Sequence, residues 1–237
     1  MKKLVNLIGS DVRQIVRDRT LLSFIFFPFS MLALLQWGWP ALTTRYPTLV
    51  EHSDLVLMFA SMQSAILFGF VVSFLMVDEK DEQVMDVIRV LPISPRFFLF
   101  YRLSFASIVA ALMALVVLLG SGMTYMGIGA SSCIAFLLGL TAPLITLTIA
   151  TFANNKIEGM ALFKVIDLVL MLPLLAFFLD EPFRYFFGVV PVFWTYALLE
   201  QSFEGEWVWW YLGMAVLVYG TVLWGLAIQF RRRVFQR

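Results

Sequence analysis

The sequence predicts an all-α membrane protein with six transmembrane helices. Of its 237 residues, 61% are hydrophobic and 14% are charged, and the mean hydropathy is +0.89, a composition that excludes an ordinary soluble domain. The charged residues lie in gaps between apolar stretches of about 18 to 25 residues, the length that crosses about 30 Å of hydrocarbon. The chain is therefore expected to form a single transmembrane domain, residues 1–237, without a separate soluble domain.

The apolar stretches give the six predicted spans in order. Pro143 in the fourth and Pro173 in the fifth predict kinks or local unwinding, which neighbouring helices accommodate in a membrane. The stretches are Leu21–Trp39, Leu55–Val77, Leu103–Met123, Ser131–Phe152, Ile157–Leu179 and Trp207–Ile228.

The first 20 residues predict an amphipathic helix that lies in the membrane interface. Leu4, Ile8, Val12 and Ile15 share one helical face, and charged residues lie elsewhere on the wheel. The segment lacks the short charged region and uninterrupted apolar core of a cleavable signal. The alternative is an ordinary charged lead-in to the first span.

The basic residues predict the orientation of the chain. If the N-terminus is cytoplasmic and six spans alternate, only Arg45 and Arg184 of the 17 Lys and Arg residues fall outside. Cytoplasmic loops of membrane proteins carry an excess of basic residues. The sequence thus predicts a multi-pass protein of the bacterial cytoplasmic (inner) membrane with both termini in the cytoplasm.

A charged segment follows the second span, at residues 78–96. It reads as a short amphipathic helix that Pro92 ends, and such a helix can lie on the membrane surface and contact a soluble partner. The alternative is a solvated loop helix without a partner. The candidate contact residues are Asp78, Glu79, Asp81, Glu82, Val84, Asp86, Val87, Ile88, Arg89 and Leu91.

An aromatic segment precedes the sixth span, between Asp180 and Glu206. Its apolar middle, Phe183–Leu199, predicts a re-entrant helical hairpin in the outer leaflet. A loop in the outer interface is the alternative, and a seventh span is disfavoured because it would place Arg231–Arg233 outside. The candidate residues are Phe183, Phe187, Trp194 and Tyr196.

Two ionisable residues fall within the fifth stretch, Lys164 and Asp167. They are three residues apart and are predicted to pair on one helix face. Ionisable residues in spans commonly mark transport paths, so the pair is expected either to line a substrate or proton path or to fix packing between subunits.

The sequence lacks the patterns of several catalytic sites. It contains no GxxxxGK[ST], HExxH or GxSxG pattern, and Cys133 and His52 are the only cysteine and histidine. Neither a Walker site, a metalloprotease site nor a Ser–His hydrolase is therefore predicted. We expect no catalytic residue, no metal site and no cofactor bound by this chain.

Taken together, these segments resemble the ABC-2 type permease family, the membrane subunits of a class of ABC exporters. The local similarity is highest at residues 78–96, with Leu91-Pro92-Ile93-Ser94-Pro95, although Gln83-Val84 replaces the usual small residues. A second similarity is Asn154-Asn155-Lys156-Ile157-Glu158-Gly159, which together with Pro173 resembles drug-efflux permeases of the fluoroquinolone type.

The resemblance implies a transport subunit without its own ATPase site. It would pair with an identical or related second permease in membrane lipid and with two copies of an ABC ATPase, which would hold ATP and Mg²⁺; no nucleic acid is involved. The implied cargo is an amphipathic, hydrophobic or lipid-like small molecule. Alternatives are a haem-export-type subunit of cytochrome c maturation and a proton-coupled carrier.

Overall fold

Helices account for nearly all of the described residues. The structure is a computed structural model that describes residues 2–81, 95–123, 126–203, 205 and 209–235, and these residues contain no strand. The α-helices are α1 (Lys2–Arg17), α2 (Arg19–Ile25), α3 (Phe27–Ala33), α4 (Trp39–Arg45), α5 (Ser53–Asp81), α6 (Pro95–Gly120), α7 (Ile128–Gly139), α8 (Thr141–Phe152), α9 (Lys156–Met171), α10 (Pro191–Phe203) and α11 (Trp209–Phe230). Short 3₁₀ helices cover Pro47–His52, Leu172–Phe178 and Phe183–Val189, and π-helical turns cover Leu34–Gly38 and Arg231–Phe235.

Six helical segments are long and apolar enough to cross a membrane, which confirms the predicted number within the described residues. The helix α10 is not among them, because its 13 residues are too few to cross the hydrocarbon. The spans, numbered from the first to the sixth, are Arg19–Arg45, Pro47–Asp81, Phe97–Gly120, Ile128–Phe152, Lys156–Phe178 and Trp209–Arg233.

Prolines interrupt three of the spans. Pro28 and Pro40 lie at the starts of α3 and α4 in the first span. The fourth span breaks at Leu140, since Pro143 lacks the N–H that would donate to the carbonyl of Gly139. After Pro173 the fifth span continues as a 3₁₀ helix. The predicted distortions at Pro143 and Pro173 are therefore present.

The second and fourth spans lie at the centre of the bundle and are mostly buried, whereas the first, fifth and sixth are largely exposed. Small residues let the central helices approach closely, as is common in membrane proteins. A Cβ atom added at Gly69 would lie 2.7 Å from Cα of Ala142, and one added at Gly139 would lie 2.7 Å from the carbonyl oxygen of Ser107.

Candidate functional site

Polar contacts join several helices at one end of the bundle, which we call the charged end. It comprises the end of α5 together with the neighbouring parts of α1, α6 and α9. Residues 82–94, which lie outside the described residues and are called the loop 82–94 only for their place between two helices, follow α5 and precede α6 at this end. The contacts of the charged end therefore fix the end of α5 and the start of α6, between which these residues lie.

Arg102 of α6 is the centre of a buried ion-pair cluster. Its side chain is 1% exposed, and Nη1 lies 2.7 Å from Oδ1 of Asp11 in α1. Nη2 pairs with Oε1 of Glu79 in the last turns of α5. The hydroxyl of Tyr101 donates to Oδ2 of Asp11 at 2.7 Å, and the guanidinium lies over the ring of Phe98, 5.2 Å from its centroid. The cluster joins α1, α5 and α6 through one cation.

A second set of contacts joins α5 to the fifth span. Nζ of Lys156 lies 3.0 Å from a carboxylate oxygen of Asp78 and 3.9 Å from one of Asp18. Lys80 donates to the carbonyl oxygen of Ala153 at 2.8 Å. Three successive residues of α5, Asp78 to Lys80, are thus held by three different neighbours.

These contacts change the prediction for the proposed contact helix. Asp78, Glu79 and Asp81 belong to the last turn of α5, because that helix continues to residue 81 instead of ending at Val77. Asp78 and Glu79 are paired within the chain, and Asp81 is exposed. The other predicted contact residues lie outside the described residues: Glu82, Val84, Asp86, Val87, Ile88, Arg89 and Leu91.

The two ionisable residues of the fifth span do not pair as predicted. Oδ1 of Asp167 accepts a hydrogen bond of 3.3 Å from Nε2 of Gln63 in α5. Lys164 is exposed, and no ion pair of Lys164 occurs within the described part of the chain. Asp167 lies towards α5, where the amide of Gln63 replaces the expected ammonium.

The depth of these residues limits what can surround them. Lys164 and Asp167 lie about 12 Å and 17 Å along the helix from Lys156, because each residue adds about 1.5 Å. They are thus near the middle of a hydrocarbon layer about 30 Å thick. A charged side chain at this depth costs about 2.5 to 3.5 kcal/mol in lipid on insertion scales, so such residues face protein or water. Ionisable residues at such a depth commonly have a role in transport or in packing between helices.

The aromatic segment before the sixth span divides into an exposed and a buried part. In the 3₁₀ helix Phe183–Val189, the side chains of Phe183 and Phe186 are 73% and 84% exposed. Residues three apart align on one face of a 3₁₀ helix. The following helix α10 is buried from Pro191 to Leu199. A hydrogen bond to Tyr211 and another to Glu181 raise the pKa of Tyr185 above its ordinary value.

Two of the four aromatics predicted for this segment lie in the interior of the protein. Trp194 is 7% exposed, and its Nε1 donates to the carbonyl of Gly188 at 2.8 Å. Tyr196 is 2% exposed and donates to the carbonyl of Leu170 at 3.2 Å. Phe187 is half-buried and Phe183 exposed. The most exposed aromatic side chains of the segment are therefore Phe183 and Phe186, and Phe186 was not among the candidate residues.

The sequence did not indicate Asp11, Arg102 or Gln63 as site residues. Asp11 and Arg102 are 91 positions apart, and only the packing of α1 against α6 brings them together. Gln63 is a single polar residue in an apolar helix, which is a weak signal by itself. Within the described residues, no group of three His, Cys, Asp or Glu side chains could hold a metal ion.

Comparison with known proteins gives one family and two curated relatives. The model of the family described as "Fluoroquinolones export permease protein Rv2686c-like" matches residues 11–227. Fluoroquinolones export permease proteins from two strains of Mycobacterium tuberculosis, CDC 1551 / Oshkosh and ATCC 25618 / H37Rv, are each 29% identical over 233 residues, which cover 94% of this chain and 92% of theirs. No solved structure matches the chain.

Proposed function

The chain belongs to the Rv2686c-like family of fluoroquinolones export permeases, and from this premise we propose that it is the membrane subunit of an ABC exporter driven by a separate ATPase. It is a multi-pass membrane permease of an exporter, a transport subunit and not itself catalytic. The family implies an ATPase partner.

The observation that supports coupling to an ATPase is the fixation of both ends of the loop 82–94. Glu79 lies three residues before residue 82, in the last turn of α5. Arg102 lies in the second turn of α6, which begins at Pro95. Arg102 pairs with Glu79 and with Asp11. These ion pairs join the end of α5 and the start of α6 to α1. A force that a soluble partner applies to residues 82–94 would therefore act on α5 and α6 together, because Arg102 and Glu79 join the two helices.

The proposed cargo is an amphipathic or hydrophobic small molecule that leaves the cytoplasm or the inner leaflet. This proposal is supported by the names of the relatives, which refer to fluoroquinolones. The proposed assembly contains a second permease, identical or related, and two ATPase copies that hold ATP and Mg²⁺. It lies in the bacterial cytoplasmic membrane with both termini and the loop 82–94 on the cytoplasmic side.

The experiment tests whether the loop 82–94 binds the ATPase. The substitutions Val87→Asp and Ile88→Asp each place a charge in the proposed apolar contact, which is unfavourable when that contact is buried. We expect each variant to insert normally but to recover less than about a tenth of the ATPase in co-purification, a loss of about 1.4 kcal/mol or more in binding. ATP-dependent efflux should fall in parallel.

The control is Val50→Asp, which makes the same change at an exposed residue of the 3₁₀ helix that begins the second span. It should leave ATPase recovery unchanged. Full recovery of the ATPase with both Val87→Asp and Ile88→Asp would remove the loop from the coupling interface.

A further inference from the structure

We propose that an apolar groove between the third, fourth and sixth spans, together with Arg231 and Arg232, binds one molecule of an anionic phospholipid. One acyl chain would lie in the groove, and the phosphate would lie against the two arginines. The proposal goes beyond the export function, because it concerns a lipid of the membrane and neither the cargo nor the ATPase.

The groove is a concave surface on the outside of the bundle. Its volume is about 470 Å³, which lies in the range of small-molecule sites. Two of its side chains, Phe100 and Trp224, are 72% and 71% exposed, so the groove opens to the surroundings of the bundle. The third span lines it with Phe100 and Ile108, the fourth with Phe136 and Leu147, and the sixth with Trp224 and Ala227.

The groove is long and runs parallel to the spans. Phe136 and Leu147 line it from two ends of the fourth span, about 16 Å apart at about 1.5 Å per residue. One leaflet supplies about half of the 30 Å of hydrocarbon in a bilayer. The length of the groove therefore matches an acyl chain that lies in a single leaflet.

The arginines lie one helical turn beyond the groove. Arg231 follows Ala227 by four residues, and residues four apart lie on the same face of a helix. Phe230, the residue before Arg231, packs in a cluster with Met76 and Phe98, which places the arginines at the charged end. Basic residues at the membrane surface attract anionic lipids.

These two cations are available to a ligand. Arg231 and Arg232 are both exposed, and no ion pair of either occurs among the residues that the structure describes. The carboxylates of Asp11 and Glu79, at the same end, already pair with Arg102. A phosphate can therefore approach the two arginines without displacing a carboxylate from them.

The wall of the groove selects the kind of ligand. Among the described residues that line it, only Ser104 and Ser107 carry a hydroxyl group and none carries a charge. A compact ligand with polar groups along its body would leave those groups unsatisfied, which is unfavourable. A long apolar chain with its charge at one end, as in a phospholipid, matches both the wall and the arginines.

The experiment uses Trp224 as a reporter in the purified full chain. Phosphatidylglycerol and phosphatidylcholine with brominated acyl chains are added to the protein in an uncharged maltoside detergent, because bromine quenches tryptophan fluorescence on contact. Subtracting the signal of Trp224→Phe isolates this side chain from the other tryptophans. We expect anionic phosphatidylglycerol to quench Trp224 at about a fivefold lower mole fraction than phosphatidylcholine, as one arginine at the surface predicts.

The variants separate the headgroup from the acyl chain. In the double variant Arg231→Gln, Arg232→Gln the two lipids should quench Trp224 alike. The matched control, Arg13→Gln with Arg17→Gln, removes two exposed cations from α1 at the same end and should keep the preference. Ser104→Phe fills the groove, so both lipids should be needed at higher mole fractions.

Equal quenching by the two lipids in the wild type would overturn the proposal, and this comparison does not depend on any variant folding. An unchanged preference in the Arg231, Arg232 double variant would overturn the role of these arginines. Release of the quenching by added fluoroquinolone would assign the groove to cargo and overturn the lipid site. The assay contains no ATPase, so its failure is distinct from failure of the proposed coupling.

Discussion

Single residues set how closely the central helices pack. Gly69 faces the backbone of Ala142, and the hydroxyl of Thr146 donates to the carbonyl of Gly69 at 3.2 Å. Gly220, in the largely exposed sixth span, has nothing within 4 Å of an added Cβ. A methyl group added by a Gly→Ala substitution would therefore clash with the backbone of Ala142 at position 69 but would meet open space at position 220.

We expect Gly69→Ala to lower the free energy of unfolding and Gly220→Ala to raise it. Overpacking at Gly69 must shift the backbone of Ala142 and costs about 1 to 3 kcal/mol. Replacing glycine in the interior of an open helix by alanine gains about 0.5 to 1 kcal/mol. Unfolding in mixed detergent micelles measures both, and a shift of the two variants in the same direction would contradict the packing described for Gly69.

The residue-level interactions were the hardest to predict from the sequence. Arg102 is predicted only as one of many basic residues on the cytoplasmic side, because nothing local specifies which carboxylates surround it. The pairing of Lys164 with Asp167 was predicted from spacing alone, and it is wrong because spacing allows a contact but does not determine side-chain direction. Gln63, 104 positions from Asp167, supplies the contact instead.

At the scale of elements, the segment from Phe183 to Phe203 combines a surface helix with a buried one. The 3₁₀ helix Phe183–Val189 presents Phe183 and Phe186, and α10 anchors it through Trp194, whose Nε1 donates to the carbonyl of Gly188 at 2.8 Å. We propose that this segment contacts the cargo as it is released. The exposed Phe183 and Phe186 would make that contact, whereas the buried Trp194 stabilises the fold.

We expect Phe186→Ala to reduce export while leaving stability nearly unchanged, and Trp194→Ala to lower stability by about 3 to 5 kcal/mol, as for a buried aromatic. Export and ATP hydrolysis are measured on the same reconstituted complex, with thermal unfolding in parallel. A silent Phe186→Ala variant would remove the release role. An equally stable Trp194→Ala variant would show that α10 is not the anchor.

Elements were predictable where their cause is local. The six spans follow from the composition of the apolar stretches, and the amphipathic N-terminal helix follows from the period of its apolar residues. The distortions at Pro143 and Pro173 follow from the N–H that proline lacks. The length of α5 beyond Val77 was not predictable, since Asp78 and Glu79 are held in helix by partners on α9 and α6. The N-terminal helix is present, but Ile15 is buried whereas Val12 is exposed, so its predicted apolar face is split.

At the scale of the whole molecule, the charge distribution predicts which end faces the cytoplasm. In a Cys133→Ser background, single cysteines at positions 53, 83 and 201 replace Ser53, Gln83 and Gln201. An impermeant thiol reagent on intact cells should label positions 53 and 201 but not 83, because loops rich in Lys and Arg stay inside. Opening the cells provides the control, since position 83 should then react.

Labelling of position 83 in intact cells, without labelling of position 53, would reverse the orientation. The six spans would remain, but the loop 82–94 would then be out of reach of an ATPase.

The arrangement of buried and exposed spans also bears on how the chain assembles during synthesis. The spans that pack most closely, from the second to the fourth, are consecutive in the sequence, so their contacts can form before the ribosome has made the fifth and sixth. Contacts between neighbours in sequence also form faster than distant ones. The fifth span is thus added to a bundle that already presents Gln63, and Asp167 meets the amide of Gln63 when the span enters the membrane.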